Sequence, residues 1–186
     1  WARAFYERQV GARVRVADEE KREELMALAT SEASKADFST QFYLEEWDMV
    51  IQSQDVHDAP GYLAARRVGR GTRLGRKQRV QIWPVFERYR QLLDESRLME
   101  WQDIVRESRL FIEKAEDLTL PYRAVLADEV QDLSANELRL LRAIAPKGPD
   151  DLFLVGDAHQ RIYGNMARLG ACGIEIRGRA RRLKLN

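Results

Sequence analysis

The chain has 186 residues, 45% of them hydrophobic and 33% charged, and a formal net charge of +1 at pH 7, a composition typical of a soluble protein with enough apolar side chains for a core. A single cysteine, Cys172, and two widely separated histidines exclude an internal disulfide and a zinc site, and they fit a reducing, cytoplasmic compartment. No stretch reaches the length that spans a membrane and no signal peptide is visible, so we expect no membrane partner.

The first part of the chain predicts helices. Alternating Val and Arg residues that end near position 17 indicate a short strand or an extended lead-in. Asp18 is placed to cap a helix from Glu19 to about Ala36, a second helix is expected over about 40–54, and a third begins near Pro60 and runs through Arg67. The buried sides of the first two helices are predicted to consist of Leu25, Leu28, Ala29 and Ala33, and of Tyr43, Trp47, Val50 and Ile51.

A basic segment at 66–79, RRVGRGTRLGRKQR, is the main charge feature of the chain. It carries seven Arg or Lys residues, three glycines and no acid. Such a segment favours contact with phosphate backbones through a salt-dependent attraction that does not read sequence. The alternative interpretation is a solvated loop whose cations pair with nearby acids. The residues predicted to contact nucleic acid are Arg66, Arg67, Arg70, Arg73, Arg76, Lys77 and Arg79.

Two further helices are expected before the second half of the chain. The first covers about 80–93, where Pro84 either kinks the helix or starts a new one, because proline cannot donate to the preceding turn. The second runs from about Glu100 to Ala115. The predicted core residues of the first helix are Trp83, Phe86, Tyr89, Leu92 and Leu93. Those of the second are Trp101, Ile104 and Val105, together with Leu110, Phe111 or Ile112.

The stretch 123–164 predicts a strand–helix–strand unit. Two apolar runs without alternation, at 124–127 and 152–155, are typical of strands that are buried on both faces. Between them, an S-x-x-E capping box at Ser134 begins a helix. The two strands should then be parallel with a right-handed crossover, and their carboxyl ends should share one ligand-binding edge. After this unit, a possible edge strand is expected near 174–176.

Acidic residues follow both predicted strands, as Asp128-Glu129 and as Gly156-Asp157. In the adjacent pair, one carboxylate can hold a hydrated Mg²⁺ while the other faces a water molecule. This division suits phosphoryl transfer from a nucleoside triphosphate. Gln160 is a neutral donor and acceptor that is suited to sensing a terminal phosphate. For Asp128-Glu129 taken alone, the alternative is a strand that simply ends in solvated acids.

The sequences DEVQD at 128–132 and LVGDAHQRIYG at 154–164 resemble two consecutive motifs of the UvrD/Rep-like superfamily 1 helicases, the first of them the Walker B motif. The resemblance implies that Asp128 binds Mg²⁺, that Glu129 is the base that activates water, and that Gln160 contacts the γ-phosphate. The other implied roles are nucleotide binding by Gln131, Asp132 and Asp157, and stacking of Tyr163 against a base of single-stranded DNA.

The resemblance also implies an architecture. It is an α/β fold in which residues 101–186 form part of the first RecA-like ATP-binding domain, a parallel-sheet P-loop NTPase core. Residues 1–100 form a mainly helical inserted subdomain that lies near DNA. The whole protein would be an ATP-dependent DNA helicase or translocase that moves 3′ to 5′. Its cofactors would be ATP and Mg²⁺, and its partner would be single-stranded DNA or DNA with single-stranded regions.

A phosphate-binding loop of the form G-x-x-x-x-G-K-[ST] is absent from the 186 residues. Because the chain opens at Trp1 rather than Met and stops within a further motif, we expect a fragment that lacks N- and C-terminal parts and is inactive alone. Two alternatives stay open. One is a non-catalytic helicase remnant that binds DNA or a partner protein. The other is a metal-dependent nuclease that would use Asp128, Glu129, Asp132 and Asp157.

Overall fold

The computed structural model describes residues 1–115, 117–157 and 169–181. These residues form two compact units, one spanning Trp1–Ser108 and the other beginning at Arg109. Within the described ranges, no helix is long and apolar enough to cross a membrane. The elements are α1 (Ala2–Val10), α2 (Glu19–Ala33), α3 (Thr40–Glu46), α4 (Ala59–Ala64), α5 (Arg76–Glu95), α6 (Trp101–Lys114), β1 (Val125–Ala127), α7 (Ala135–Ile144) and β2 (Leu152–Leu154).

The chain begins with a helix, α1, that the sequence did not predict. The helix ends at Gly11, whose φ of 68° lies in the left-handed region that favours glycine. The expected extended segment is present only after α1. There the N–H of Ala17 donates to the carbonyl of Met99, and the N–H of Met99 donates to the carbonyl of Arg15, both at 3.0 Å. This single parallel bridge joins the segment before α2 to the segment before α6.

Aromatic side chains form the core of the first unit. Tyr43, Trp47, Tyr62, Phe86 and Tyr89 are all fully buried. The ring of Trp47 meets that of Tyr89 edge-on with 5.0 Å between centroids, and Tyr62 meets Phe86 edge-on at 5.7 Å. The predicted aromatic stripe of the second helix and the predicted core face of α5 are therefore confirmed.

The second predicted helix changes its pitch halfway. α3 ends at Glu46, and the chain continues as a π-helix over Trp47–Gln52, in which backbone hydrogen bonds join residues five positions apart. In this wider turn, residues five positions apart lie on the same side of the helix. Trp47 and Gln52 therefore both donate to the same carboxylate oxygen of Glu100, at 2.5 and 2.7 Å.

Two residues predicted to be buried in helices are not: Leu28 and Trp101 are 40% and 43% exposed. Of the alternatives Leu110, Phe111 and Ile112, Phe111 is exposed and the other two are half-buried. Helical periodicity locates an apolar face only to within about one position, and in α2 the buried face includes Met26 instead of Leu28. Pro84 lies inside α5 without starting a new helix.

In the second unit, β1 and β2 form a two-stranded parallel sheet, which confirms the predicted pairing. The register aligns Ala127 with Leu154 at the carboxyl ends of the strands. Leu154 packs against a small buried cluster of Leu138, Cys172 and Ile174. This cluster attaches one face of the sheet to α7, whose predicted capping box is also confirmed.

The two strands are not buried on both faces, contrary to the prediction. Leu126 and Phe153 are 75% and 63% exposed, because side chains alternate along a strand and the cluster meets only one face. The expected strand at 174–176 is absent among the described residues. There a 3-10 helix, Leu169–Cys172, leads into a loop in which Ile174 N–H donates to the Leu169 carbonyl at 3.0 Å. The fold is thus mainly helical with a small parallel sheet.

Candidate functional site

The carboxyl ends of β1 and β2 lie side by side at one edge of the sheet. Backbone hydrogen bonds continue beyond the strands: Val155 N–H donates to the Ala127 carbonyl at 2.8 Å, and Val130 N–H donates to the Val155 carbonyl at 3.0 Å. Asp128 and Glu129 occupy the turn between these two bonds. The structure therefore brings this acidic pair to the edge where the Gly-Asp pair after β2 also lies.

The turn holds Glu129 in an uncommon backbone conformation. Its φ of 51° and ψ of 38° lie in the left-handed region, which residues other than glycine rarely adopt and which is frequent at functional sites. Its N–H donates to Oδ1 of Asp128 at 2.8 Å, and its carbonyl accepts from the N–H of Asp132 at 2.9 Å. The side chains of Asp128 and Glu129 are exposed, so both face the solvent from which a ligand would come.

Gln131 contacts both loops at this edge. Its Nε2 donates to Oε2 of Glu129 at 2.5 Å, and its Oε1 accepts from the N–H of Asp157 at 3.0 Å. The sequence identified Gln131 only as part of a nucleotide-binding motif. The hydrogen bond to Glu129 is local, whereas the one from Asp157 joins segments that are far apart in the chain, and no local pattern predicts it.

Gly156 lies close to the segment that carries Gln131. A Cβ at position 156 would lie 2.7 Å from Oε1 of Gln131, 2.8 Å from Cγ2 of Val130 and 3.3 Å from the backbone N of Val130. Side chains do not approach one another this closely, so this position requires a glycine for reasons of space. The missing side chain is what lets Gln131 reach across the edge.

We expect Gly156→Ala to destabilise the chain by about 1–3 kcal/mol, because the added methyl must displace Val130 and the Gln131 amide. The free energy of unfolding, obtained from denaturant titration, measures this effect. Gly148→Ala is the matched control, because a Cβ at position 148 meets nothing within 4 Å. Equal losses at the two positions would contradict the steric explanation.

The carboxylates at this edge fit a cation that is shared with phosphates. Within the described ranges, no three His, Cys, Asp or Glu side chains form a metal-binding group. Among the described residues, a cation at Asp128 would draw on one or two carboxylates, which is how Mg²⁺ is usually held when phosphates and water complete its shell. The arrangement suits Mg²⁺ bound together with a nucleotide better than a metal cage made by the protein alone.

The structure gives less information on four further residues that the sequence predicted for the site. Gln160 and Tyr163 lie outside the described residues, and their roles in contacting the γ-phosphate and stacking on a DNA base stay predictions. Asp132 is exposed at the end of the 3-10 helix Val130–Asp132, and Asp157 is half-buried after β2. The part of these two acids in nucleotide binding also stays a prediction.

Three cations of the basic segment are held within the first unit. The side chains of Arg67 and Arg70 are 7% and 5% exposed, and both pair with Glu46, which is fully buried. Arg67 donates to the two carboxylate oxygens of Glu46 at 2.6 and 2.7 Å, and Arg70 donates from Nε at 3.0 Å. Arg79 donates to three backbone carbonyls at the end of α4, at 2.9–3.2 Å. For Arg67 and Arg70, the structure shows the pairing with nearby acids that was the alternative interpretation.

The other four cations of the segment, Arg66, Arg73, Arg76 and Lys77, are exposed. In the part of the chain that the structure describes, none of these side chains forms an ion pair. They are the members of the basic segment that are positioned to meet phosphates from solvent, and their role in DNA binding stays a prediction.

Glu46 organises the basic segment, and the sequence did not identify it. Burial would raise the pKa of this carboxyl, but hydrogen bonds from Arg67 and Tyr62 and the positive charge of Arg67, with a further bond from Arg70, hold its pKa below the ordinary value of 4.5. The Tyr62 hydroxyl donates to Oε1 at 2.7 Å. A signal was present: Glu46 lies between the apolar residues 42–44 and Trp47, and a carboxylate buried among apolar side chains requires partners.

Comparisons with known proteins point to one family. The sequence profile of the UvrD/REP helicase N-terminal domain matches residues 2–168. Two ATP-dependent helicase/nuclease subunits, one from Lactobacillus gasseri and one from Lactobacillus johnsonii, are each 44% identical over 43 residues. Those residues are 23% of this chain and only 4% of each relative. No solved structure matches the chain significantly.

Proposed function

The chain belongs to the UvrD/REP helicase N-terminal domain family, and we propose that it forms part of an ATP-dependent DNA helicase or translocase. One observation carries the proposal. The adjacent carboxylates of Asp128 and Glu129 stand exposed at the carboxyl edge of a parallel strand pair, beside the loop that follows β2. Open α/β sheets bind their ligands at this edge.

At this edge, the two carboxylates would have different tasks. Asp128 would hold Mg²⁺, which when bound neutralises charge on the nucleotide phosphates. The Glu129 carboxylate would accept a proton from the water that attacks the γ-phosphate. Because Asp128 and Glu129 are adjacent, their side chains would leave the turn in different directions, so one could face a cation while the other faces water.

The finer assignments rest on the family. We propose that residues 101–186 belong to the first RecA-like domain and that residues 1–100 form a helical insertion near DNA. Single-stranded DNA would be the track and 3′ to 5′ the direction of movement. Gln160 would contact the γ-phosphate, and Tyr163 would stack on a base. The observed parallel strand pair and the exposed cations of the basic segment support this arrangement.

The test is ATP hydrolysis by the longest native polypeptide that contains this chain, with and without single-stranded DNA. We expect turnover that DNA stimulates. The 186-residue chain alone should hydrolyse ATP negligibly, because its sequence has no phosphate-binding loop to hold the β-phosphate. No turnover by the longer polypeptide in the presence of DNA would favour a non-catalytic binding role. DNA cleavage that requires a metal but not ATP would favour a nuclease.

The exposed cations of the basic segment give a separate prediction. Replacing Arg73, Arg76 and Lys77 with glutamine should lower the affinity of the chain for single-stranded DNA about tenfold at low salt. The slope of log affinity against log salt should become less steep by about 2, because each phosphate contact contributes about 0.7. Fluorescence anisotropy of a labelled oligothymidine across a salt series measures both quantities. Arg76 and Lys77 lie in the first turn of α5, where cations oppose the helix dipole, and Arg73 is exposed before the helix, so the substitutions should not reduce stability.

A matched control removes the same charge elsewhere. Arg8, Arg13 and Arg15 are exposed but lie outside the basic segment. Their replacement with glutamine should change the affinity for DNA far less. If both triple variants lost affinity equally, net charge rather than the basic segment would be responsible. An affinity that did not depend on salt would contradict phosphate contact altogether.

A further inference from the structure

We infer that Gln131 is a positioning residue, which fixes the carboxylate of Glu129 and ties it to the loop after β2. This inference rests on the proposed function, in which Glu129 activates water. The amide of Gln131 reaches Glu129 at 2.5 Å on one side and the backbone N–H of Asp157 at 3.0 Å on the other. It therefore connects the two strand ends through a single side chain.

Glu129 needs such support because little else holds its side chain. The residue is exposed, and its backbone is in the left-handed region. In the described part of the chain, Gln131 is the residue that hydrogen-bonds its carboxylate. A freely rotating carboxylate would hold an attacking water in one orientation only part of the time, and small displacements of a catalytic group cost large factors in rate.

Only a side chain with the chemistry and length of glutamine can make both contacts. The amide carries a donor for the Glu129 carboxylate and an acceptor for the Asp157 N–H. A glutamate would keep the acceptor but repel Glu129, and a methionine of similar length would lose both hydrogen bonds. Gly156 completes the arrangement, because a Cβ there would lie 2.7 Å from Oε1 of Gln131.

The connection leads toward a second predicted site residue. Asp157 precedes Gln160, the predicted γ-phosphate contact, by three residues in the sequence. A shift of the backbone at Asp157 moves the donor that anchors the Gln131 oxygen, and this in turn moves the amide that holds Glu129. The position of the Glu129 carboxylate would therefore depend on the backbone at Asp157.

The test measures ATP hydrolysis and hydrogen–deuterium exchange in the longest native polypeptide that contains this chain. Gln131→Met should lower kcat about 10- to 100-fold with little change in KM for ATP, since Gln131 acts through Glu129 rather than on the nucleotide. It should also accelerate exchange of the Asp157 amide. Gln131→Glu should lower kcat similarly but leave that amide protected, because a carboxylate still accepts its hydrogen bond. Gln91→Met, on an exposed position of α5, controls for the loss of an amide.

A double variant separates positioning from general damage. In Glu129→Gln with Gln131→Glu, the amide at position 129 can donate to the carboxylate at position 131, so the hydrogen bond returns with reversed polarity. Asp157 should stay protected in this inactive variant, and its melting temperature should exceed that of Gln131→Glu alone. The inference is overturned if Gln131→Met leaves kcat unchanged, or if it raises KM and leaves the exchange of Asp157 unaltered.

If the unsubstituted polypeptide shows no turnover, the proposed function fails, while the exchange and melting data still decide whether Gln131 links the loops.

Discussion

Substituting Glu129 with glutamine is expected to lower kcat for DNA-stimulated ATP hydrolysis by about 10²–10⁴-fold in the longest native polypeptide, the range that a general base contributes. An amide has nearly the size of a carboxylate but cannot take a proton from water. It can still accept the hydrogen bond from Gln131 through its oxygen, so the geometry of the edge should survive. Steady-state kinetics with and without single-stranded DNA measure the loss.

Measuring nucleotide affinity distinguishes a general base at Glu129 from a residue that binds the nucleotide. Because Glu129 is not expected to hold the phosphates, the Glu129→Gln variant should bind ATP and Mg²⁺ with nearly unchanged affinity, whereas Asp128→Asn should weaken Mg²⁺-dependent binding. Glu175→Gln, an identical chemical change at an exposed position of the second unit, serves as the control. Unchanged kcat in Glu129→Gln would remove Glu129 from the role of base. Loss of ATP affinity instead of kcat would assign it to binding.

Sequence patterns predicted those features of the fold that depend on local chemistry. The capping box of Ser134 begins α7 where the spacing of Ser and Glu required it. The aromatic stripe around Trp47 is buried as predicted, because large apolar side chains at helical spacing leave few other places for a core. The parallel pairing of β1 and β2 also followed, since a helix between two strands favours a crossover connection.

The failures share a physical cause. An apolar run such as that around Leu126 shows that both faces of a strand are apolar, but not that both faces are covered. The π-helix after Glu46 is not marked by composition, because its extra residue per turn is stabilised by contacts with Glu100 from a different element. Both features depend on whether a segment distant in sequence packs against them.

In the candidate site, too, local features were predictable and contacts with distant segments were not. The residue types at positions 128, 129 and 157 indicated phosphate chemistry, and the pairing of the strands then placed them at one edge. The hydrogen bond between Gln131 and Asp157 and the close approach at Gly156 are tertiary, and the sequence predicted neither. The basic segment shows this limit most clearly, because a run of cations in the sequence does not reveal which of their side chains are buried.

Removing the buried acid of the basic segment should have the largest effect on stability. We expect Glu46→Ala to cost about 3–5 kcal/mol of unfolding free energy, the range for breaking a buried ion pair from one side. Arg67 and Arg70 would be left buried without their shared carboxylate, and the hydroxyl of Tyr62 would lose its acceptor. Denaturant titration of the 186-residue chain measures the change.

The neighbouring acid provides a matched control. Glu45 also pairs with Arg70, but its side chain is 46% exposed. Because solvent screens such a pair, Glu45→Ala should cost less than about 1 kcal/mol. Comparable losses at positions 45 and 46 would show that the buried network does not stabilise the first unit more than a surface ion pair does.

The same carboxylate predicts a pH dependence. Since the pKa of Glu46 lies below its ordinary value of 4.5 in the folded chain, its contribution is present above that value and is lost as the pH falls through the folded-state pKa. Glu46→Gln has no such proton to bind, so the difference in unfolding free energy between the two proteins should be constant near neutrality and should shrink in acid. Groups far from this network titrate alike in both proteins, so the difference reports Glu46 together with the charges that share its arginine partners. A gap that widened on acidification would mean that the pKa of Glu46 is raised, with burial outweighing its arginine partners.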